Sequence, residues 1–299
     1  ARIRRPHLGR YRAALQAVRA ARTQRARSVL VSHLPAMAAA TNILRRQLCP
    51  EVRQIAFAFN FTALPTGRRL SYFRRALQGI DEFVVFSQME REVYAEAFDL
   101  PPERFHMLPW AADAPVVGPD NPVPFEGPYL CAIGGEGRDY GLLADVMRAR
   151  PQTRMVVIAR PYSVAGIEFP ENVTLFTNLP GPQTWRLAKD SQGLVIPLKT
   201  ADTACGHITL VGAQHLGIPL AITRSRGVSD YVDDQTAFLV PPQDNAALTQ
   251  AIVTLDGAEA SVDARRKKAQ ETAQTRSSLT GWVQYFEDQL DRSPSSAAR

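Results

Sequence analysis

The sequence has few of the features that stabilise small secreted proteins or anchor proteins in membranes. Its three cysteines, Cys49, Cys131 and Cys205, lie far apart among 299 residues and show no Cys-x-x-Cys spacing. Neither a disulfide framework nor a structural zinc site is therefore expected. No apolar run reaches the roughly 18 residues that a membrane-spanning helix needs. No apolar stretch follows the basic start, so no secretory signal is expected. These absences predict a protein of the reducing cytoplasm.

Several ligand-binding motifs are also missing. The chain contains no Gly-Lys-Ser/Thr phosphate loop, and its main glycine cluster does not have the Gly-x-Gly-x-x-Gly spacing of dinucleotide-binding proteins. No Asp-x-Asp metal motif is found, and Asp233 and Asp234 fall in a predicted turn. We therefore expect no cofactor and no metal.

Acidic residues are absent from residues 1–27, which contain nine arginines. The rest of the chain carries 26 basic and 29 acidic residues, so the excess positive charge is local. Leu8, Tyr11, Leu15 and Val18 recur at helical spacing after Pro6 and predict a helix with one apolar stripe. Such a helix either lies on an anionic membrane or docks on its own domain with the arginines in solvent, which is the interpretation we favour. Nucleic acid is not expected as a partner, because no base-reading motif accompanies the charge.

From residue 28 onward, short apolar runs alternate with helical patterns, which predicts an α/β protein with parallel sheets covered by helices. Residues 115–128 contain five prolines and two glycines and are predicted to be a linker between domains 1–125 and 126–280. The helix at 281–290 is expected to pack back on the first domain. Because ligands bind at the carboxyl ends of parallel strands, a site is expected in a cleft between two Rossmann-like domains.

One candidate phosphate site is the run Gly-Gly-Glu-Gly-Arg-Asp-Tyr at 134–140, between a predicted strand and a predicted helix. Gly134 and Gly135 permit close backbone approach, and amides at a helix start favour a phosphate. Arg138 adds a permanently charged, forked donor suited to phosphate oxygens. Glycine in a tight strand-to-helix turn is the structural alternative.

A second candidate follows the predicted strand at 193–197. Lys199 lies in the loop, and Gly206, His207 and Thr209 open the next predicted helix, where their polar groups suit a diphosphate or a ribose. The alternative is an ordinary polar contact for His207 and a helix cap for Thr209. In the first domain His33 stands at the carboxyl end of a predicted strand, where it would serve as a general base or as a structural histidine.

Taken together, these motifs resemble a glycosyltransferase of the GT-B fold, close to the retaining family four. The resemblance covers residues 129–255: the glycine turn with Arg-Asp-Tyr (138–140), Pro-Leu (197–198), Gly-His-Ile-Thr (206–209), Gly-Ile-Pro (217–219) and Leu-Val-Pro-Pro (239–242) with Asp244. In the first domain, Phe-Asn-Phe-Thr-Ala-Leu-Pro (59–65), Ser-Gln-Met-Glu-Arg-Glu (87–92) and Leu-Pro-Pro-Glu-Arg-Phe (100–105) resemble bacterial polysaccharide glycosyltransferases.

The resemblance implies a nucleotide-sugar donor on the second domain and a glycan or lipid-linked acceptor on the first. It implies diphosphate contacts from Gly134, Gly135 and Arg138, with Lys199 as a looser match. Gly206 falls in the same run as His207 and Thr209, which align beside the sugar diphosphate, and His33 matches a histidine near the transferred sugar. A hexosyltransferase of the cytoplasm is the expectation that follows, and peripheral binding to the inner face of a membrane through residues 1–27 is the alternative to the docked helix.

The chain departs from the family at two positions and at its start. Many members carry two glutamates, with seven residues between them, that touch sugar and ribose hydroxyls. Here Ala204 and Gly212 stand in their places. The family also begins with an apolar strand and a glycine-rich loop, where this sequence has the arginine-rich segment. These departures favour an inactive sugar-nucleotide-binding or scaffold protein as the alternative, and a nucleotide-sugar epimerase of the same fold is a further one.

Overall fold

The computed structural model describes residues 6–24, 28–61, 63–202, 204–257 and 260–292. The chain divides into two compact units. Unit 1 combines residues 1–108 with 280–299, and unit 2 spans residues 109–279. Among the described helices, none is both long enough and apolar enough to cross a membrane.

Unit 1 contains a four-stranded parallel sheet in the order β1-β2-β3-β4. Helices precede β1 and follow each of the first three strands, as the alternation of apolar runs predicts. The elements are α1 (Pro6–Gln24), β1 (Val29–His33), α2 (Pro35–Leu48), β2 (Arg53–Phe57), α3 (Gly67–Leu77), β3 (Glu82–Val85), α4 (Gln88–Phe98) and β4 (Phe105–Met107).

Unit 2 contains a six-stranded parallel sheet in the order β10-β9-β8-β5-β6-β7. Its elements are β5 (Leu130–Gly134), α5 (Tyr140–Arg148), β6 (Met155–Ala159), β7 (Val173–Thr177), α6 (Gly181–Asp190), β8 (Leu194–Ile196), α7 (His207–His215), β9 (Leu220–Thr223), β10 (Phe238–Val240), α8 (Asn245–Asp256) and α9 (Ala260–Arg276). Two parallel-stranded units of this kind confirm the predicted α/β class.

The inner strands of the sheet of unit 2, β5, β6, β8 and β9, are buried on both faces, which explains their continuous apolar sequences. Cys131 and Ile133 of β5 enter a cluster with α6 and α7. Leu130 and Ala132 of the same strand enter a second cluster with α5 and α8. Successive side chains of β5 therefore pack alternately into two cores, one on each face of the sheet. The loops at the ends of the strands remain available for other roles.

The proline-rich segment that composition marks as a linker belongs to unit 2, so the division at 108/109 precedes the predicted boundary at 125. The Trp110 amide donates to Tyr231 Oη at 2.8 Å, and the Gly118 amide donates to the Pro182 carbonyl at 2.8 Å. Asn121 Nδ2 donates to Tyr129 Oη at 3.0 Å. Prolines prevent regular structure here, but the extended backbone still finds partners on the domain that follows it.

The first helix packs through small residues. Val18 and Ala21 are buried against Leu30, Cys49 and Val52, and Ala14 is buried as well. Tyr11, in the predicted stripe, is 38% exposed. Arg12, Arg19 and Arg22 are exposed. This is the docked arrangement with solvated arginines. Residues 1–5 and 25–27 of the predicted helix lie outside the described residues.

The last helix, α10 (Leu279–Asp291), supplies aromatic side chains to unit 1. Trp282 and Phe286 lie with ring centroids 4.9 and 5.3 Å from that of Phe57. Tyr285 Oη donates to Glu82 Oε1 at 2.9 Å, and burial, with the Glu82 charge second, raises the pKa of this phenol. The C-terminal helix thus stabilises the sheet of the N-terminal unit.

Candidate functional site

The sheet order of unit 2 reverses between β5 and β8. From β5 the chain proceeds outward through β6 and β7, then returns to β8 and proceeds the other way through β9 and β10. The loops that leave β5 and β8 therefore run in opposite directions from adjacent strands. Such a switch point opens a crevice at the carboxyl ends of the strands, where ligands bind in open α/β sheets.

Backbone hydrogen bonds join these two loops. The Asp139 amide donates to the Pro197 carbonyl at 2.8 Å, and the Lys199 amide donates to the Gly137 carbonyl at 3.0 Å. Arg138 and Leu198 form the bridge between them. The glycine turn and the Pro-Leu-Lys loop, which the sequence offers as separate candidates, are thus one structure.

Arg138 lies beneath this structure and is 4% exposed. Its Nε donates to the Ile133 carbonyl at 3.1 Å, and one terminal nitrogen donates to the Glu136 carbonyl at 3.2 Å. The other terminal nitrogen donates to Thr209 Oγ1 at 3.3 Å. The guanidinium therefore links the end of β5 to the first turn of α7.

All of these acceptors are neutral. Among the described residues no carboxylate forms an ion pair with Arg138, and the Glu136 side chain accepts instead from Tyr162 Oη at 2.7 Å. A buried cation without a counter-charge costs free energy, because desolvation is not offset by an ion pair. This unpaired charge at a topological switch point marks a place for an anion.

Two glycines bring backbone close to the guanidinium. Gly134 has φ +136°, and a Cβ there would lie 2.6 Å from an Arg138 terminal nitrogen. Gly206, the N-cap of α7, has φ +104°, and a Cβ there would lie 3.2 Å from Arg138. Side chains at either position would be strained and would compete with Arg138 for space.

Gly135, the next residue, lies close to a different segment. A Cβ on Gly135 would lie 2.8 Å from Arg160 Cγ and 2.9 Å from Tyr162 Oη, both from the loop after β6. Arg160 donates to Asn178 Oδ1 at 3.2 Å. Tyr162 is 61% exposed, so its ring presents a free aromatic face beside the glycine turn. Tyr162 is not predicted from the sequence as a site residue, because only the pairing of β5 with β6 brings it beside the glycine turn.

The start of α7 supplies both a polar floor and helix-end amides. Thr209 is buried and contacts Arg138. His207 is also buried, with Nε2 2.7 Å from the Gly227 carbonyl and its ring 4.8 Å from that of Tyr231. The amides of a first helical turn lack intrahelical acceptors and suit an anion. Lys199 lies in the joined loop with an exposed side chain. Gly134, Arg138, Gly206 and Thr209 are therefore in direct contact, while His207 and Lys199 flank them.

Cys205 is a second residue that the sequence analysis did not place in the site. Its Sγ donates to the Glu136 carbonyl at 3.1 Å and lies 3.9 Å from an Arg138 terminal nitrogen. Burial raises the pKa of this thiol, the charge of Arg138 opposes that shift, and the charge of Glu136 adds to it.

The two family glutamate positions differ in their surroundings. Ala204 is half-buried in the loop before α7. Gly212 is buried on α7, where a Cβ would lie 2.4 Å from Trp185 Cη2 and 3.0 Å from Pro115 Cγ. The Trp185 ring therefore fills the space that a side chain at position 212 would need.

His33 belongs to unit 1. It ends β1, an edge strand, and its side chain is exposed. The next residue, Leu34, has φ +68°, which is strained for a branched side chain. Strain of this kind is held at functional positions when the surrounding structure imposes it.

The chain matches no protein-family model and no curated protein sequence. Solved structures do match. A glycosyltransferase from Rickettsia africae aligns over 97% of this chain and 82% of its own, with 12% identity and a TM-score of 0.70. HepE from Anabaena in complex with UDP aligns over 93% of this chain and 81% of its own, with 12% identity and a TM-score of 0.75. Sucrose-phosphate synthase from Thermosynechococcus elongatus aligns over 95% and 78%, with 17% identity and a TM-score of 0.71.

At 12 to 17% sequence identity, structural similarity establishes the fold alone. The protein has the architecture of the GT-B glycosyltransferases, with two units that each carry a parallel sheet. The sequence-based prediction of fold class is thereby confirmed.

Proposed function

We propose that this protein transfers a hexosyl group from a nucleoside-diphosphate sugar to a polysaccharide or lipid-linked acceptor, with retention of anomeric configuration. The donor binds on unit 2, at the carboxyl ends of β5 and β8. Structures with this fold include HepE in complex with UDP and with UDP-glucose, so UDP-glucose is the first donor to test. A cytoplasmic location remains part of this proposal.

One observation carries the proposal. Arg138 is buried, holds only neutral acceptors among the described residues, and lies between two glycines that admit close backbone approach. A diphosphate at the mouth of this crevice would lie near the charge that the fold leaves uncompensated. Glycine flexibility in a turn would explain Gly134 alone, but not the burial of a cation without a counter-ion.

The same arrangement suits the chemistry of sugar transfer. When the bond between the anomeric carbon and the diphosphate oxygen breaks, the electron pair leaves with the diphosphate. Negative charge then develops on its oxygens. Arg138, the amides that open α7 and the exposed Lys199 ammonium would stabilise that charge from fixed positions, which is the most effective form of electrostatic catalysis. The acceptor oxygen forms the new bond to the anomeric carbon, and its proton passes to the departing diphosphate oxygen.

We assign His33 a role near the transferred sugar. Its exposed ring at the end of β1, followed by the strained Leu34, is placed for contact with a ligand rather than for packing. His33→Ala should lower kcat by about a hundredfold or more. His106→Ala is the matched control: His106 lies on β4 of the same unit, where its ring stacks on Tyr285 at 5.1 Å, and its removal should leave kcat within a few-fold. Equal losses in both variants would contradict this role.

We further propose that transfer needs no divalent metal, because protein cations supply the positive charge that a metal would provide. Asp233 and Asp234 already have partners: Asp233 accepts from Thr236 Oγ1 at 2.9 Å, and Asp234 accepts from Arg224 at 3.1 Å. Activity should survive a chelator. Loss of activity with EDTA, restored by Mg²⁺ or Mn²⁺, would overturn this part.

The glutamate positions favour a second candidate, a protein that binds a sugar nucleotide without turning it over. Ala204 and Gly212 provide no carboxylate, and Trp185 occupies the space beside Gly212. Such a protein would bind a donor but would neither transfer nor hydrolyse its sugar.

Thermal unfolding in the presence of UDP-, GDP-, ADP- and dTDP-sugars tests the proposal. A ligand that binds only the folded state stabilises it by about 2.7 kcal/mol at a hundred times its Kd, so a selective rise in Tm is expected with one nucleotide. Arg138→Met should abolish the rise, while Arg186→Met, a half-buried arginine of α6, should retain it.

A folded sample that responds to no donor would contradict both candidates. A selective rise without transfer to any acceptor and without donor hydrolysis would establish the binding protein instead of the enzyme. Where transfer occurs, the anomeric configuration of the product by NMR tests retention.

A further inference from the structure

Unit 1 carries a groove that the proposed donor site does not use. It lies between α2 and α3 and has a volume of about 660 Å³. Ligand sites in proteins commonly fall between about 300 and 1,000 Å³. Its lining comes from Ile43, Arg46 and Gln47 of α2 and from Arg68, Ser71, Tyr72, Arg75 and Ala76 of α3.

The groove is amphipathic. Ile43 is half-buried and Ala76 is 5% exposed, so they form an apolar floor. Tyr72, 41% exposed, adds an aromatic side chain, and its hydroxyl lies 3.3 Å from that of Tyr11 on α1. Burial and this hydrogen bond raise the pKa of Tyr72 to about 12, so the phenol stays neutral. An apolar floor without a charged group suits a hydrocarbon better than a free ion.

The rim is cationic. Arg46, Arg68 and Arg75 are exposed, and none forms an ion pair within the part of the chain that the structure describes. Arg10 of α1 adds its positive charge to the same neighbourhood, since that charge acts on the Tyr72 hydroxyl. The groove therefore joins three helices into one positively charged surface.

The sequence around that surface is poor in acidic residues. The first 80 residues contain sixteen arginines, no lysine and no aspartate, and Glu51 is their one acidic residue. A surface that exchanges ion pairs with its own side chains would carry both signs, so this bias indicates an external anionic partner.

We propose that the α2–α3 groove binds anionic phospholipid at a membrane surface. The arginine rim contacts lipid phosphates in the headgroup layer, and the floor of Ile43, Ala76 and Tyr72 accepts the glycerol and the upper acyl chain. Arginine forks match phosphate oxygens, and long arginine side chains reach from apolar surface to headgroups. Because the buried stripe of α1 packs inside unit 1, the membrane contact belongs to this groove and not to insertion of α1.

Flotation of the full chain with vesicles tests the proposal. Binding is expected to vesicles of phosphatidylglycerol and phosphatidylcholine and not to phosphatidylcholine alone. Each basic residue near an anionic surface contributes roughly a fivefold factor, so Arg46→Gln, Arg68→Gln and Arg75→Gln together should weaken partitioning about a hundredfold. These side chains are exposed and have no ion pairs with described residues, so the variant should keep the wild-type circular dichroism and Tm.

A matched variant removes the same charge from unit 2: Lys189→Gln, Lys267→Gln and Arg276→Gln, all exposed and without ion pairs among the described residues. It should bind vesicles within a few-fold of the wild type. An equal loss in both variants would show that net charge alone drives binding and would overturn the assignment of the groove.

Tyr72→Ser separates lipid from other polyanions. It should weaken vesicle binding several-fold and leave binding to heparin unchanged, since heparin contacts only the cationic rim. If the protein binds heparin or RNA and does not float with anionic vesicles, or if Tyr72→Ser is without effect on flotation, the groove is a polyanion surface and the lipid proposal is wrong.

Discussion

The two units each bury an arginine, and the two arginines differ in what surrounds them. Arg45 of α2 and Arg138 of the glycine turn are both 4% exposed. Arg45 donates to the carbonyls of Pro50, Val52 and Gly79 at 2.5 to 3.0 Å, and to Asn42 Oδ1 at 3.0 Å. Burial lowers its pKa, and the charge of Asp81 opposes that shift. Arg138 also has neutral acceptors and forms no ion pair within the described chain, but its surroundings include the glycines at 134 and 206.

We interpret this difference as one between a structural cation and a cation that can bind a ligand. Arg45 joins α2 to two backbone segments of unit 1, at residues 50–52 and at Gly79, and this arrangement is complete without a ligand. Arg138 lies between Gly134 and Gly206, two positions that carry no side chain. A buried cation that is fully enclosed by its own fold stabilises that fold, while one at a crevice lined by glycine is ready for an external anion.

The largest expected difference is in activity. Arg138→Met should lower kcat/KM for a sugar donor about a hundred- to a thousandfold, because one fixed donor to developing negative charge is lost. Arg45→Met, in a sample held at a temperature where it is folded, should retain activity within about tenfold. Steady-state kinetics with the donor found by thermal shift measures both. Comparable losses would mean that Arg138 is a structural residue like Arg45.

The expected order is reversed for stability. Arg45→Met leaves four acceptors without a donor, at roughly 1 to 3 kcal/mol for each unsatisfied group that is buried, and should cost about 3 to 5 kcal/mol of unfolding free energy in total. Arg138→Met should cost about 1 kcal/mol or less, because removing an uncompensated buried charge offsets the lost hydrogen bonds. Urea unfolding followed by circular dichroism gives the total, and hydrogen exchange assigns the loss to unit 1 or unit 2. A larger loss in Arg138→Met would contradict the comparison.

Much of this fold was accessible from sequence because its signals are local. β6, β9 and α5 are examples, since apolar runs flanked by turn residues define them without help from other segments. Asp244 caps α8 and accepts from the Ala247 amide at 2.9 Å, as an aspartate just before a helix commonly does. The glycine turn and the start of α7 were also recognisable from their residue types.

What the sequence could not provide depends on contacts between distant segments. The link from Arg138 to Thr209 spans 71 residues, and the segment before residue 128 joins unit 2 through Tyr231 and Pro182. Trp185 over Gly212 follows from the packing of α6 on α7, which no local pattern encodes. The fold was thus predictable from periodicity, whereas the geometry of the candidate site required the sheet order.

A smaller effect is expected when the glycine beside Arg138 gains a methyl group. Gly134→Ala places a Cβ 2.6 Å from the guanidinium at φ +136°, so Arg138 must move. Gly166→Ala is the control, since Gly166 has φ +76° and nothing within 4 Å of its Cβ position. Both should lose about 1 kcal/mol of stability from backbone strain. Donor affinity, measured by calorimetry, should fall about tenfold in Gly134→Ala alone. An equal fall in Gly166→Ala would show that affinity does not depend on the position of Arg138.

The smallest effect concerns the Cys205 thiol, which reports the Arg138 charge directly. Burial raises the thiol's pKa, so alkylation by iodoacetamide should keep accelerating at a pH where an ordinary cysteine has reached its plateau. Because the Arg138 charge opposes that shift, Arg138→Met should move the midpoint of the rate profile to still higher pH. Cys49 and Cys131 are fully buried and should react only after unfolding. The bound nucleotide should cover the loop and slow alkylation of the wild type at every pH. A midpoint that moves to lower pH in Arg138→Met would show that the guanidinium does not act on this thiol.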